Sequence, residues 1–127
     1  MPQESQKVLI LDDNLMDVME AERHLQSGGY AVSRLSSPNG ALSKIDFERP
    51  DILLLDIQME RLDAEDLIST LQSSPDYRDL VIVLYSDIEA DTLQSYCVEH
   101  DINGYLCKSM DISQIAGFLD KFFEYEG

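Results

Sequence analysis

Residues 51–56 read DILLLD, four consecutive apolar side chains from Ile52 to Leu55 held between Asp51 and Asp56. A strand with one face in water alternates apolar and polar residues. A strand that is apolar at every position is covered on both faces, as in parallel sheets whose crossover helices lie above and below. The run is too short for a helix and follows Pro50, so residues 51–55 are expected to be the central strand of such a sheet. Asp56 then falls at its carboxyl end, the side on which doubly wound sheets open their crevice.

The rest of the chain repeats the pattern. Upstream, Lys7 to Leu11 is a second apolar run, followed by Val18, Ala21 and Leu25 on one helical face until Gly28 and Gly29 stop it. A weaker strand from Ala31 to Leu35 leads through Ser36, Ser37, Pro38 and Asn39 into a helix carrying Ala41, Leu42 and Ile45. Downstream, Asp63 can cap a helix with a stripe of Leu67, Ile68 and Leu71, and Pro75 lies beyond its end. Strand 4 is expected from Leu80 to Tyr85, helix 4 from about Ile88 to Glu99 and strand 5 from Asn103 to Leu106. Asp111 caps a last helix that turns Ile112, Ile115, Phe118, Leu119 and Phe122 inward. These βα units predict an α/β fold: a flavodoxin-like, doubly wound, five-stranded parallel sheet in the order 2-1-3-4-5, with five helices and right-handed crossovers. Residues 1–6 are expected to be a flexible start and residues 7–127 a single domain.

Composition narrows the class. With 44% hydrophobic and 27% charged residues, the 127-residue chain is neither disordered nor membrane-embedded in character, and it is long enough for one core. No apolar run approaches the roughly 20 residues of a membrane helix, and Met1 to Gln6 lacks the apolar region of a signal peptide. A cytoplasmic location is expected. Twenty-five acidic against nine basic residues give a net charge of -16, which repels nucleic-acid backbones and anionic lipid, so neither is expected as a partner. Cys97 and Cys107 match no zinc or C-x-x-C spacing and read as buried reduced thiols, and His100 reads as a solvated helix end.

The chemistry lies at the strand ends. Strand 1 ends in Asp12 and Asp13, strand 3 in Asp56 and strand 4 in Ser86, and Lys108 follows strand 5. Neighbouring strands bring these groups to one crevice. Two bare carboxylates 4 Å apart repel by about 4 kcal/mol at an effective dielectric of 20, so the cluster calls for a cation. Magnesium fits better than zinc, since it takes oxygen ligands and needs few of them beside a phosphate. A carboxylate is also a nucleophile able to form an aspartyl phosphate, and phosphoryl transfer requires mainly positioning and neutralisation of the equatorial oxygens. A metal, the ammonium of Lys108 and the hydroxyl of Ser86 would surround a phosphoryl group on Asp56.

The spaced set V-L-I-L-D-D-N, L-L-L-D-I-Q-M, V-L-Y-S and G-Y-L-C-K resembles the receiver domain of two-component response regulators, over nearly the whole chain. The resemblance implies that Asp56 accepts a phosphoryl group from a phosphohistidine on a sensor histidine kinase or a histidine phosphotransfer protein. It implies Mg2+ as cofactor, held by Asp13 directly, by Asp12 mainly through water, by Asp56 and by the backbone carbonyl of Gln58. Ser86 and Lys108 would hold the phosphoryl oxygens, and Tyr105 would be the aromatic switch coupled to Ser86. The output face would be helix 4, strand 5 and helix 5, docking a downstream protein with no attached output domain. The domain would signal rather than turn over a substrate, catalysing only its own phosphorylation and dephosphorylation.

Four positions depart from the family pattern: Glu60 and Ser109 replace common prolines, Asp101 a common glycine and Asp87 a small residue after the serine. Asp87 would place an anion beside the phosphoryl entrance and alter rate and lifetime. Taken singly, Asp12 and Asp13 read as helix caps, Asp56 and Ser86 as turn residues and Lys108 as a solvated charge. Their joint placement favours the site. The rival readings are a degenerate receiver acting as a phosphorylation-independent interaction module, a phosphatase, which usually carries D-x-D where this chain has Asn14, and a flavin protein, which needs a phosphate-friendly first loop.

Overall fold

The computed structural model describes residues 6–123. Its strands are β1 (Lys7–Leu11), β2 (Ala31–Leu35), β3 (Ile52–Leu55), β4 (Val81–Ser86) and β5 (Gly104–Cys107), all parallel and ordered β2-β1-β3-β4-β5. The helices are α1 (Leu15–Ser27), α2 (Ala41–Glu48), α3 (Ala64–Ser73), α4 (Ala90–His100) and α5 (Ile115–Asp120). The doubly wound order expected from the sequence is therefore the observed one.

The period of two in β3 decides where the helices go. Ile52 and Leu54 face α1 and α5 in a core with Val8, Ile10, Val18, Leu25, Ile115 and Leu119. Leu53 and Leu55 face the other way, toward α2, α3 and α4, in a core with Leu9, Leu11, Ile45, Ile68 and Leu93. All four β3 side chains are 0% exposed, so this strand contributes about 1.5–3 kcal/mol per residue of hydrophobic stabilisation to the two cores. On the α1 side, a Cβ added at Gly28 would stand 2.4 Å from the Cβ of Ala116, so glycine lets the end of α1 approach α5. Gly29 follows at φ 95°, a left-handed conformation that suits glycine.

Several boundaries differ from the sequence reading for local reasons. Helix α4 starts at Ala90, because the N–H of Ile88 is taken by the hydroxyl of Ser86 at 3.2 Å. Asn103 stays outside β5 and uses its side-chain carbonyl to accept the N–H of Ile82 at 2.9 Å. The last helix divides into a 3-10 turn at Ile112–Gln114, capped by Asp111, then α5 and a second 3-10 turn at Lys121–Phe123. Gly117 inside that segment weakens a regular helix. Leu42, read as part of the α2 stripe, is exposed, and His100, read as a solvated helix end, is half-buried, its side chain 21% exposed and its ring 4.2 Å from that of Tyr96. Asp101 ends α4 at φ 56°, which explains why glycine suits that position and why aspartate, one of the better tolerated side chains there, can replace it. Cys97 is buried, Cys107 is half-buried and both are free. The expected flexible start lies outside the described residues except for Gln6, whose carbonyl accepts the N–H of Ala31 at 2.9 Å. No helix among the described residues is long and apolar enough to cross a membrane.

Candidate functional site

The ladder of the sheet continues past the strand ends and fixes the backbone of the polar residues that follow. The N–H of Asp12 donates to the carbonyl of Leu35 at 3.2 Å, that of Asp56 to Leu11 at 3.0 Å and that of Lys108 to Ser86 at 2.8 Å. Three of the four strand-end groups are buried although polar: Asp12 is 1%, Asp56 5% and Ser86 0% exposed. Asp13 is exposed at the rim. One carboxylate oxygen from each of Asp12, Asp13 and Asp56 lies within 4.8 Å of the other two. The acidic cluster expected from the sequence is thus assembled.

Two of these carboxylates also shape their own turns. Asp12 Oδ1 accepts the N–H of Asn14 at 2.9 Å, and Asp56 Oδ1 accepts the N–H of Gln58 at 2.9 Å, the two-residue reach that aspartate makes in tight turns. Asn14 in turn caps α1 by accepting the N–H of Asp17 at 3.1 Å.

Lys108 Nζ lies 3.0 Å from Asp56 Oδ2, 2.9 Å from Asp12 Oδ2 and 2.8 Å from Asp17 Oδ2. Its contact with Asp56 is a directed hydrogen bond. The approach to Asp12 is close but off axis, so Asp12 Oδ2 is buried and accepts no hydrogen bond. The ring of Tyr85 lies 5.5 Å from the ammonium. Burial works against the charge on Lys108, yet Asp17, Asp12 and Asp56 together hold the lysine protonated well above its ordinary range. Burial also pushes the carboxyl of Asp12 upward, against the opposing pull of Lys108 and the Asn14 N–H. Burial wins there because one ammonium divided among three carboxylates neutralises none of them fully. The Tyr85 hydroxyl is pushed up to about 12, first by burial and then by the charge of Asp17.

The donor set suits a hard divalent cation. It offers oxygen ligands alone, it has an excess of negative charge, and its buried Asp12 Oδ2 has a lone pair that no protein donor uses. Gln58, whose carbonyl is the further ligand expected from the sequence, stands in the turn after Asp56. Its side chain does something that expectation did not include: its Oε1 accepts the hydroxyl hydrogen of Ser86 at 2.9 Å. Tyr105 is half-buried on β5 against the core beneath α3 and α4, on the opposite face of the sheet from Tyr85. Glu60, Asp87 and Ser109 are exposed.

Asp17 and Tyr85 are the residues of this site that the sequence reading did not single out. An aspartate in the first turn of a helix is sufficiently explained by the positive end of the helix dipole, and a tyrosine in a strand by core packing. Asp17 follows Asp13 by four residues, about one helical turn, and that spacing was the available signal.

Comparison with known proteins agrees with this geometry. The family model described as response regulator receiver domain matches residues 8–120. The chain is 27% identical over 115 residues to protein RcaC of Microchaete diplosiphon, covering 91% of this chain but 18% of that protein. It is 25% identical over 121 residues to the two-component response regulator ORR3 of Oryza sativa, covering 94% of this chain and 92% of that one. Among solved structures, the chemotaxis response regulator CheY4 of Vibrio cholerae superposes with a TM-score of 0.82 at 19% identity, over 93% of this chain and 98% of that one.

Proposed function

From the premise that this chain belongs to the response regulator receiver family, we propose that it is a phosphorylation-switched signalling domain, residues 7–127, with Asp56 as the phosphoacceptor. The observation that carries this reading is the convergence of Asp12, Asp13, Asp56, Ser86 and Lys108 at the carboxyl end of one parallel sheet, with an acidic cluster and a buried oxygen on Asp12 that accepts no hydrogen bond.

Receiver domains bind Mg2+ at such an acidic pocket, and here Asp12, Asp13, Asp56 and the carbonyl of Gln58 would hold it. When bound it neutralises charge on the phosphoryl oxygens. The donor is a phosphohistidine on a histidine kinase or a histidine phosphotransfer protein. A carboxylate oxygen of Asp56 attacks the phosphorus, a P–O bond forms, the P–N bond to the imidazole breaks, and its electron pair stays on the ring nitrogen. The ammonium of Lys108 and the hydroxyl of Ser86 then donate to phosphoryl oxygens. Ser86 must first turn its hydrogen away from Gln58, so the two arrangements of that hydroxyl define the two states of the switch. Tyr105 responds to movement of the Ser86 loop, and α4, β5 and α5 present the altered surface to a downstream protein. Leu15, Met16 and Met19 are exposed at the start of α1 beside the pocket, an apolar surface that favours a protein donor over a small molecule. A cytoplasmic location follows from this signalling role.

The alternative is a receiver used as a phosphorylation-independent interaction module. The closed arrangement, with Lys108 ion-paired to three carboxylates and Ser86 donating to Gln58, favours it. Intact mass after incubation with acetyl phosphate and Mg2+ separates the two. A single phosphoryl adduct in wild type that is absent from Asp56→Asn supports the switch. No adduct under conditions that modify a known receiver supports the module.

A further inference from the structure

The ammonium of Lys108 has three N–H donors, and three carboxylate oxygens surround it at 2.8–3.0 Å. Asp12 and Asp56 belong to the set that takes the cation and the phosphoryl group. Asp17 belongs to neither. It lies in the first turn of α1, its N–H held by the cap residue Asn14, and its side chain is 32% exposed where that of Lys108 is 5% exposed. A fixed backbone thus carries a solvent-facing carboxylate to the rim and onto the buried ammonium.

The partners of Lys108 are not equivalent during loading. A cation among Asp12, Asp13 and Asp56 draws on the charge of Asp12 and Asp56 and repels the ammonium. A phosphoryl group on Asp56 then asks the ammonium for a donor. Asp12 and Asp56 compete less for Lys108 once the pocket is loaded, whereas Asp17 keeps its full charge and its place.

We propose that Asp17 is a positioning residue that restrains Lys108, so that the phosphoryl group wins the lysine only against this carboxylate. This rests on the phosphoacceptor reading above, and it makes the acidic rim of α1 a determinant of how readily the switch closes.

The test is calorimetric titration of beryllofluoride, a phosphoryl mimic, at saturating Mg2+, with thermal unfolding run in parallel to verify the fold of each variant. Asp17→Asn should bind about three- to fivefold more tightly than wild type, the range expected for releasing a partly exposed ion pair. Asp17→Glu, which keeps the carboxylate, should return to within about twofold of wild type. Glu20→Gln removes an equal charge from the same helix, at a residue that makes no ion pair with Lys108, and should change affinity by less than about twofold. Unchanged or weaker binding by Asp17→Asn overturns the proposal. So does equal tightening by Glu20→Gln, which would reduce the effect to net charge, or an Asp17→Glu protein that behaves like Asp17→Asn. If neither wild type nor any variant binds, the phosphoacceptor reading itself fails; binding of equal strength in all of them removes only the role of Asp17.

Discussion

Asp51 and Asp56 stand at opposite ends of the same strand, and the same ladder holds both backbones. The N–H of Asp51 donates to Lys7 at 2.8 Å and that of Asp56 to Leu11 at 3.0 Å. Their side chains meet different conditions. Asp51 is half-exposed, accepts the N–H of Lys7 at 2.8 Å, and has water for its remaining lone pairs. Asp56 is 5% exposed and shares one ammonium with Asp12 and Asp17, in a cluster where one buried oxygen of Asp12 has only the off-axis ammonium beside it and accepts no hydrogen bond. At the amino end an aspartate completes local bonding and leaves nothing over. At the carboxyl end the fold concentrates charge that it does not itself compensate, and only something that binds can compensate it.

Removing the acceptor should break the comparison most completely. Asp56→Asn keeps the size and the Gln58 turn but lacks the nucleophilic carboxylate, so phosphoryl adduct by intact mass should fall to background while the fold persists. Lys108→Met is the next largest. It retains apolar length beside Tyr85 and removes the one positive charge in contact with three acids. Beryllofluoride affinity at saturating Mg2+ should drop about tenfold or more, because a charge-assisted donor is lost. Affinity for Mg2+ alone should rise, because Asp12 and Asp56 lose the cation that competes for them. A fall in both would show that the lysine supports the cation site rather than competing with it.

Much of this contrast was legible in the sequence. DILLLD carries both ends of β3 and its burial on two faces, and the order of the strands follows from the short crossovers. What stayed hidden was side-chain choice within correctly placed segments. Gln58 was expected to act through its carbonyl, and no pattern reveals that its amide catches Ser86. Asp17 looked sufficient as a helix-start acid, and Tyr85 as a packed strand residue. Arg49 and Arg61 adopt left-handed backbone at φ 50° and 65° although neither residue type signals it, since the surrounding chain dictates those turns. Periodicity reports which face a residue occupies, but which of several nearby partners a side chain takes is settled only by tertiary geometry.

A smaller effect concerns stability. Because burial raises the pKa of Asp12, its contribution to folding is fully present below the ordinary carboxylate value of 3.8 and is lost as pH rises through the raised one. At neutral pH without divalent cation, Asp12→Asn should therefore be more stable than wild type by about 1 kcal/mol, in denaturant titrations. The gap should narrow as pH falls through the raised value toward 3.8, since the buried carboxyl of wild-type Asp12 takes up its proton in that window. Added Mg2+ should narrow it too, by stabilising wild type more than the variant. A destabilised variant at neutral pH would mean that the ion pair with Lys108 outweighs the burial of the charge.

Asp51→Ala should have the smallest effect on the site, and its effect on stability should have the opposite sign. The substitution removes the acceptor for the Lys7 N–H, but that amide lies at an exposed edge of β1 and water can replace the carboxylate. The loss should be about 0.5–1.5 kcal/mol, the net worth of an ordinary hydrogen bond, and it should not depend on Mg2+. Phosphoryl adduct formation and beryllofluoride affinity should match wild type, because the hydrogen bond from the Asp56 N–H to Leu11 and the β1–β3 pairing are untouched. If Asp51→Ala instead weakened beryllofluoride binding, β3 would be acting as a rod that transmits strain from one end to the other. The two aspartates would then be coupled through the strand and not merely attached to it.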